Sequence, residues 1–262
     1  MVNKTPIGIF DSGVGGLSIT HSIKRELPSE NIIYVADLSF SPYGNKSKEM
    51  IENRSEYIVD LLFKQGCKAI VVACNTATVN SIDKLRKKFN IPIVGVEPGI
   101  KPAALHSKTG VIAVLATEQT ISSSSFQTLK SRFSHQVKIE VQACPSLVEL
   151  VENGNLNSEE SINVVNDYIL PLLSKGADHI VLGCTHYSFL TPVIEQIVKG
   201  KATIVDTAQP VALELKKQLT NLNLLHPCYD AGEVQFFSTD TSSNISQKIS
   251  NLWGHNVDVF KI

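Results

Sequence analysis

The sequence lacks the marks of a membrane-embedded, secreted or nucleic-acid-binding protein. No apolar run approaches the roughly 20 residues that span a bilayer. The opening MVNKTPIGIFDSG has no long apolar stretch behind a basic one, which excludes a signal peptide there. The chain is therefore expected in the cytoplasm. The formal net charge is −1, so no field of either sign recruits nucleic acid or an acidic membrane surface. A local basic run, Lys84, Arg86, Lys87 and Lys88, falls on a helical pattern and reads as a solvated helix face. The five cysteines (Cys67, Cys74, Cys144, Cys184 and Cys228) include no CxxC pair and are odd in number. That excludes both a disulfide frame and a structural zinc site, and predicts reduced thiols. No metal and no cofactor are expected. The glycine run GVGG (13–16) is neither GxGxxG nor a GK[ST] phosphate loop.

What is present is a soluble globular composition, 43% hydrophobic and 19% charged over 262 residues, enough for two domains. Short apolar runs alternate with longer amphipathic segments. The runs are Ile7–Phe10, Ile32–Ala36, Ala69–Ala73, Ile93–Val96, Val111–Leu115, Val137–Val141, His179–Leu182 and Thr203–Val205. Val- and Ile-rich runs of this length read as buried parallel strands in βα units. Helical patterns cover Lys48–Phe63 and Val211–Leu219, and the tail Gln235–Phe260 adds one or two strands around a helix. The fold class is α/β, with mostly parallel sheets flanked by helices on both faces.

An internal repeat organises the chain. Residues 65–76, QGCKAIVVACNT, align without a gap on residues 175–186, KGADHIVLGCTH, at an offset of 110. Gly66 matches Gly176, Ile70 matches Ile180, Val71 matches Val181 and Cys74 matches Cys184. IFDS (9–12) precedes the first Cys by about as far as VLAT (114–117) precedes the second. The repeat predicts two similar domains, related by a pseudo-two-fold axis, with a site in the cleft between them. The first takes residues 1–97 and 209–262, the second 98–208. Crossings fall near Glu97–Pro98–Gly99 and Ala208–Gln209–Pro210.

Cys74 and Cys184 each follow an apolar strand at its carboxyl end, the edge where open α/β sheets bind ligands. Small polar residues come next, Asn75 and Thr76 in one half, Thr185 and His186 in the other. These groups and the N–H groups of a helix start suit a carboxylate. The positive helix end is expected to lower the thiol pKa. Taken singly, each cysteine could be an inert core thiol; two at matched positions with polar flanks point to chemistry. Thiols facing each other across a cleft offer a base to one face of a carbon and an acid to the other, which inverts the centre. A hydrolase needs one nucleophile, one base and an oxyanion hole instead.

Asp11, Glu152 and His186 are the groups suited to holding or orienting a thiol proton. Their local alternatives are a helix cap, an exposed helix charge and a turn histidine. Gly13, Gly15 and Gly16 suggest a tight turn and close backbone approach to a small ligand. Pro42–Tyr43–Gly44 reads as a turn whose backbone and phenol reach the same cleft, with simple packing of Tyr43 an equal alternative.

Together, PIGIFDSGVGGLS (6–18), YVADLSFSPYGNKS (34–47), VVACNTAT (71–78), VGVEPGIKPA (94–103), ACPSLVELVENG (143–154) and GCTHY (183–187) resemble the glutamate racemases of the aspartate/glutamate racemase superfamily. The resemblance spans most of the chain. It implies interconversion of L- and D-glutamate without pyridoxal phosphate or metal, supplying D-glutamate for peptidoglycan. It places the acid–base thiols on Cys74 and Cys184, with Asp11 assisting the first, His186 the second, and Glu152 nearby. Substrate contacts carry over to Asp11, Ser12, Tyr43, Gly44, Asn75, Thr76, Thr117, Thr185 and His186, with Asp37 behind them. The partners it implies are glutamate and a second copy of the chain. Phe126 departs from the Tyr frequent in such relatives. The start lacks the extension of activator-dependent relatives, so no such regulation is expected. The rivals are an aspartate racemase, a one-thiol Cys–His hydrolase and a non-catalytic binder of a small acid or a protein.

Overall fold

The protein is described by a computed structural model over residues 5–154, 156–227, 230–240, 242 and 244–262. Cys228 lies outside the described residues. The first part of the chain runs β1 (Ile7–Asp11), α1 (Leu17–Glu26), β2 (Ile32–Ala36), α2 (Lys48–Lys64), β3 (Ala69–Val72), α3 (Asn75–Lys88), β4 (Ile93–Gly95) and α4 (Ile100–His106). Next come β5 (Val111–Ala116), α5 (Glu118–Ser122), α6 (Ser124–Phe133), β6 (Lys138–Ala143), α7 (Pro145–Glu152), α8 (Glu159–Ser174), β7 (His179–Gly183), α9 (Thr191–Val198) and β8 (Thr203–Val205). The chain closes with α10 (Ala208–Asn221), β9 (Val234–Ser238), α11 (Ile245–Trp253) and β10 (Val259–Lys261).

The strands form two wholly parallel sheets, ordered β10-β9-β2-β1-β3-β4 and β6-β5-β7-β8. The run β2-β1-β3-β4 has the same order as β6-β5-β7-β8, so β3 and β7 occupy equivalent places. Ile9 pairs with Val71 in one sheet and Val114 with Val181 in the other. The repeat in sequence is therefore a repeat in space. The central strands β1, β2, β3 and β7 are buried along their whole length, as parallel strands covered on both faces must be. Edge strand β6 carries the charges Lys138 and Glu140, which deter pairing with another chain.

Alternate side chains point to opposite faces. Ile9 and Val71 join Leu17, Leu215, Leu182 and Leu190 in the largest core, which is continuous through both sheets. Phe10 and Val72 pack with Ile58 and Leu62 of α2 in a second core. Phe126 is buried in a third, with Ile112 and Val181. The basic run on α3 faces solvent as expected and also makes ion pairs. Lys84 and Lys88 both pair with Glu56 of α2, and Arg86 Nε donates to the Ile93 carbonyl at 3.0 Å. It is an ion-pair seam between helices as much as a solvated face. Among the described residues no helix is long and apolar enough to cross a membrane.

Candidate active site

The carboxyl edges of both sheets converge on one set of side chains. β1 ends at Asp11, β2 leads to Asp37, β3 to Cys74, β5 to Thr117 and β7 to Cys184. Cys74 stands with extended backbone just before α3, and its carbonyl accepts the Thr78 N–H at 2.8 Å. Cys184 is likewise extended, but a 3₁₀ turn (Thr185–Leu190) follows it, because Pro192 belongs to the first turn of the next helix, α9.

The thiols have unequal partners. The Cys74 thiol donates to Ser12 Oγ at 3.6 Å. Cys184 Sγ lies 3.7 Å from His186 Nδ1, and His186 Nε2 lies 2.8 Å from Glu152 Oε1. The same Glu152 oxygen accepts the Val14 N–H at 3.1 Å. Asp11 Oδ2 accepts the Gly13 N–H at 3.0 Å, and Oδ1 accepts the Thr185 hydroxyl at 3.4 Å. Thr76 and Thr117 hydroxyls are 2.9 Å apart, across the two halves, and Thr120 joins them. Cys74 is 5% and Cys184 8% exposed, so the site is nearly closed to water.

Burial sets the electrostatics. It pushes the Cys74 thiol well above its ordinary value, and the Asp11 charge adds to this, followed by that of Cys184. The expectation of a lowered pKa is thus reversed at Cys74, because desolvation outweighs the helix start. Burial also raises Asp11, against the pull of His186. Burial works against a charge on His186. The bonds to Cys184 and Glu152 outweigh it, and the imidazole is held well above its usual range. Burial would raise Glu152, but the bond from His186 prevails and lowers it.

The glycines stand where the site leaves no room for a side chain. None of Gly13, Gly15 and Gly16 has positive φ. A Cβ at Gly13 would stand 2.0 Å from Glu152 Oε1, and one at Gly16 would stand 2.6 Å from the Asp11 Cβ. Gly13 and Gly15 are bare where Glu152, Thr185 and His186 lie against them, and Gly16 where Asp11, Ala73 and Tyr34 do. The cap reading of Asp11 fails, since the N-cap of α1 is Gly16 and no side chain caps it. Glu152 is no exposed helix charge. The Tyr43 hydroxyl donates to Asp37 Oδ2 at 2.6 Å, where Arg54 also binds. One N–H of the Asn75 amide goes to the Val96 carbonyl at 3.3 Å. Gly44 packs against Thr117, where an added Cβ would stand 3.0 Å from the Thr117 Cβ.

Sequence reasoning missed Arg54, Thr120, Thr239 and Lys248. Arg54 and Thr239 bind Asp37, and Lys248 Nζ lies 3.6 Å from Glu152 Oε2. No local motif marks them. They are joined to the site only by the fold.

Two thiols at equivalent ends of two like-ordered parallel sheets, with buried carboxyl and imidazole groups around them, belong to an α/β fold of the racemase class. A profile of the Asp/Glu/Hydantoin racemase family matches residues 7–214, and the chain belongs to that family. It is 45% identical over 242 residues to a glutamate racemase of Herpetosiphon aurantiacus, covering 92% of this chain and 95% of that one. It is 44% identical over 251 residues to one from Methylococcus capsulatus, covering 96% and 93%. Among solved structures, glutamate racemase RacE1 of Bacillus anthracis superposes with TM-score 0.90 at 32% identity over 99% of this chain and 98% of that one. The Francisella tularensis glutamate racemase solved with D-glutamate gives TM-score 0.86 at 27% identity, covering 100% and 98%.

Proposed function

We propose that the chain interconverts L- and D-glutamate, with Cys74 and Cys184 as the acid–base pair. The observation that carries this is the equivalence of β3 and β7, which sets a thiol at the carboxyl end of each in two sheets of like order. A thiolate on one side takes the Cα proton and becomes a thiol. The electron pair left on carbon is delocalised into the α-carboxylate. The opposite thiol gives its proton to the other face and becomes the thiolate. Asn75, Thr76, Thr185 and backbone N–H groups bind the carboxylate and stabilise that charge. Ser12, Tyr43–Gly44 and Thr117 complete the substrate contacts. Asp11 works beside Cys74. His186 holds the proton exchanged with Cys184, and Glu152 orients the imidazole.

A free thiol has a pKa near ~8.5, too weak a base for an α-proton unaided. Holding the carbon between two sulfurs in a dry cleft contributes through orientation, roughly 7–11 kcal/mol in good cases. Both transfers use the chain's own side chains, so the reaction calls for no added cofactor. The two units are residues 1–97 with 209–262, and 98–208, and opening between them admits substrate. D-Glutamate for peptidoglycan, made in the cytoplasm by a homodimer, is the role that accords with the relatives.

The test is to incubate purified, reduced protein with L-glutamate, and separately with L-aspartate, following optical rotation. Glutamate should decay to the racemate and aspartate should not. Folded protein that leaves L-glutamate unchanged contradicts the proposal.

A further inference from the structure

Glu152 is the last residue of α7, where the negative end of the helix disfavours a carboxylate. It is also largely buried, 16% exposed. Two costs therefore act on one anion, at the point where His186 needs a fixed acceptor. The compensation is divided between its two oxygens. Oε1 takes His186 at 2.8 Å and the Val14 N–H at 3.1 Å. Oε2 faces the Lys248 ammonium at 3.6 Å. A carboxylate gripped at both oxygens cannot rotate away from the imidazole.

Lys248 comes from a different unit of the fold. It lies on α11, between β9 and β10 of the six-stranded sheet, whereas Glu152 follows β6 of the four-stranded sheet. The helix is firmly seated. Ile245, Ile249 and Trp253 are buried, and Trp253 stacks on His21 of α1 with centroids 4.1 Å apart and planes at 18°. Trp253 also meets Phe236 edge-on at 5.1 Å. The ammonium is thus delivered from a rigid platform.

We propose that Lys248 is a positioning residue for the acid–base pair, holding Glu152 as the carboxylate that orients His186 toward Cys184. The inference rests on the racemase reading of the site. The charged and titratable groups facing Glu152 are His186 from the 3₁₀ turn, Asp11 from β1, Tyr34 from β2 and Lys248 from α11.

The experiment compares Lys248→Met and Lys248→Arg with the parent protein by two readouts. The first is ¹³C NMR titration of the Glu152 carboxyl, assigned with Glu152→Gln, which needs no turnover. The second is the pH dependence of kcat and KM. In Lys248→Met the carboxyl should titrate at higher pH. The acid limb of kcat should move up with it, lowering kcat by up to about five-fold on that limb and little at pH 7 or above, with KM unchanged. Lys248→Arg should restore both. An unmoved Glu152 titration overturns the inference, as does a shifted titration with an unmoved rate profile. A uniform loss at every pH, or one Arg does not restore, marks a structural role and overturns it too. If the parent does not racemise glutamate, the racemase reading falls, and the NMR titration alone decides whether Lys248 governs Glu152.

Discussion

Gly15 lies against His186 so closely that a Cβ built on it would stand 2.4 Å from Nδ1 and 2.7 Å from the backbone nitrogen. The ring could turn, but the backbone nitrogen could not. Gly15→Ala must therefore push apart the two halves of the site. Since a displacement of about 1 Å can cost about 10²-fold in rate, kcat should fall by that order. Helicity by circular dichroism should be unchanged, because α1 begins beyond the clash. Normal turnover in this variant would show that the closed arrangement is not the reactive one.

Glu152→Gln keeps the shape and removes the charge. Glu152 is one of the groups that raise His186, so its loss lowers the imidazole pKa. A reaction that uses protonated His186 then loses that form at lower pH. The basic limb of kcat should shift down in pH, with kcat about 10²-fold lower at its optimum. A pH–rate profile checks this.

Arg54 grips Asp37 with two bonds, Nε to Oδ2 at 2.8 Å and Nη2 to Oδ1 at 2.6 Å, and Asp37 is fully buried. Arg54→Met leaves that carboxylate to Tyr43 and Thr239 alone. Breaking a buried pair from one side costs about 3–5 kcal/mol, read as a lower urea midpoint. Arg54→Lys should recover only part, because an ammonium cannot make the paired bonds.

Asp178 closes the turn before β5. It accepts from Ser107 Oγ at 2.8 Å, Lys108 N at 2.6 Å and Thr109 N at 2.9 Å, and meets His179 Nδ1 at 2.8 Å. Burial opposes the charge, but these bonds, that of His179 foremost, hold the carboxyl well below its ordinary value. A depressed folded pKa contributes stability that is complete above the unfolded pKa and is lost as pH falls through the folded one. Asp178→Asn should cost about 1–3 kcal/mol at neutral pH, and the gap from the parent should close on acidification.

The sheets were legible in the sequence because parallel strands buried on both faces leave unbroken apolar runs; β2 and β8 match theirs to the residue. The thiols were legible because the repeat carries them to like strand ends. The thiol pKa at Cys74 was not, since local logic counts the helix start and cannot count burial. The bond that Tyr43 makes was not legible, for a related reason. Its partner Asp37 lies on the same connection, but only the packing of α2, which carries Arg54, draws both inward. Lys248 and Glu152 meet through tertiary structure alone, and no spacing in the chain announces them.

The central claim is that two thiols act on opposite faces of one carbon. The direct measurement is early turnover of L-glutamate in D₂O, with mass and chirality of both glutamate pools followed together. Two separate acid–base groups predict that the D-glutamate formed carries solvent deuterium at Cα while unreacted L-glutamate remains largely protiated. D-glutamate that retains the substrate's own proton would mean a single group serving both faces, and would contradict the assignment to Cys74 and Cys184.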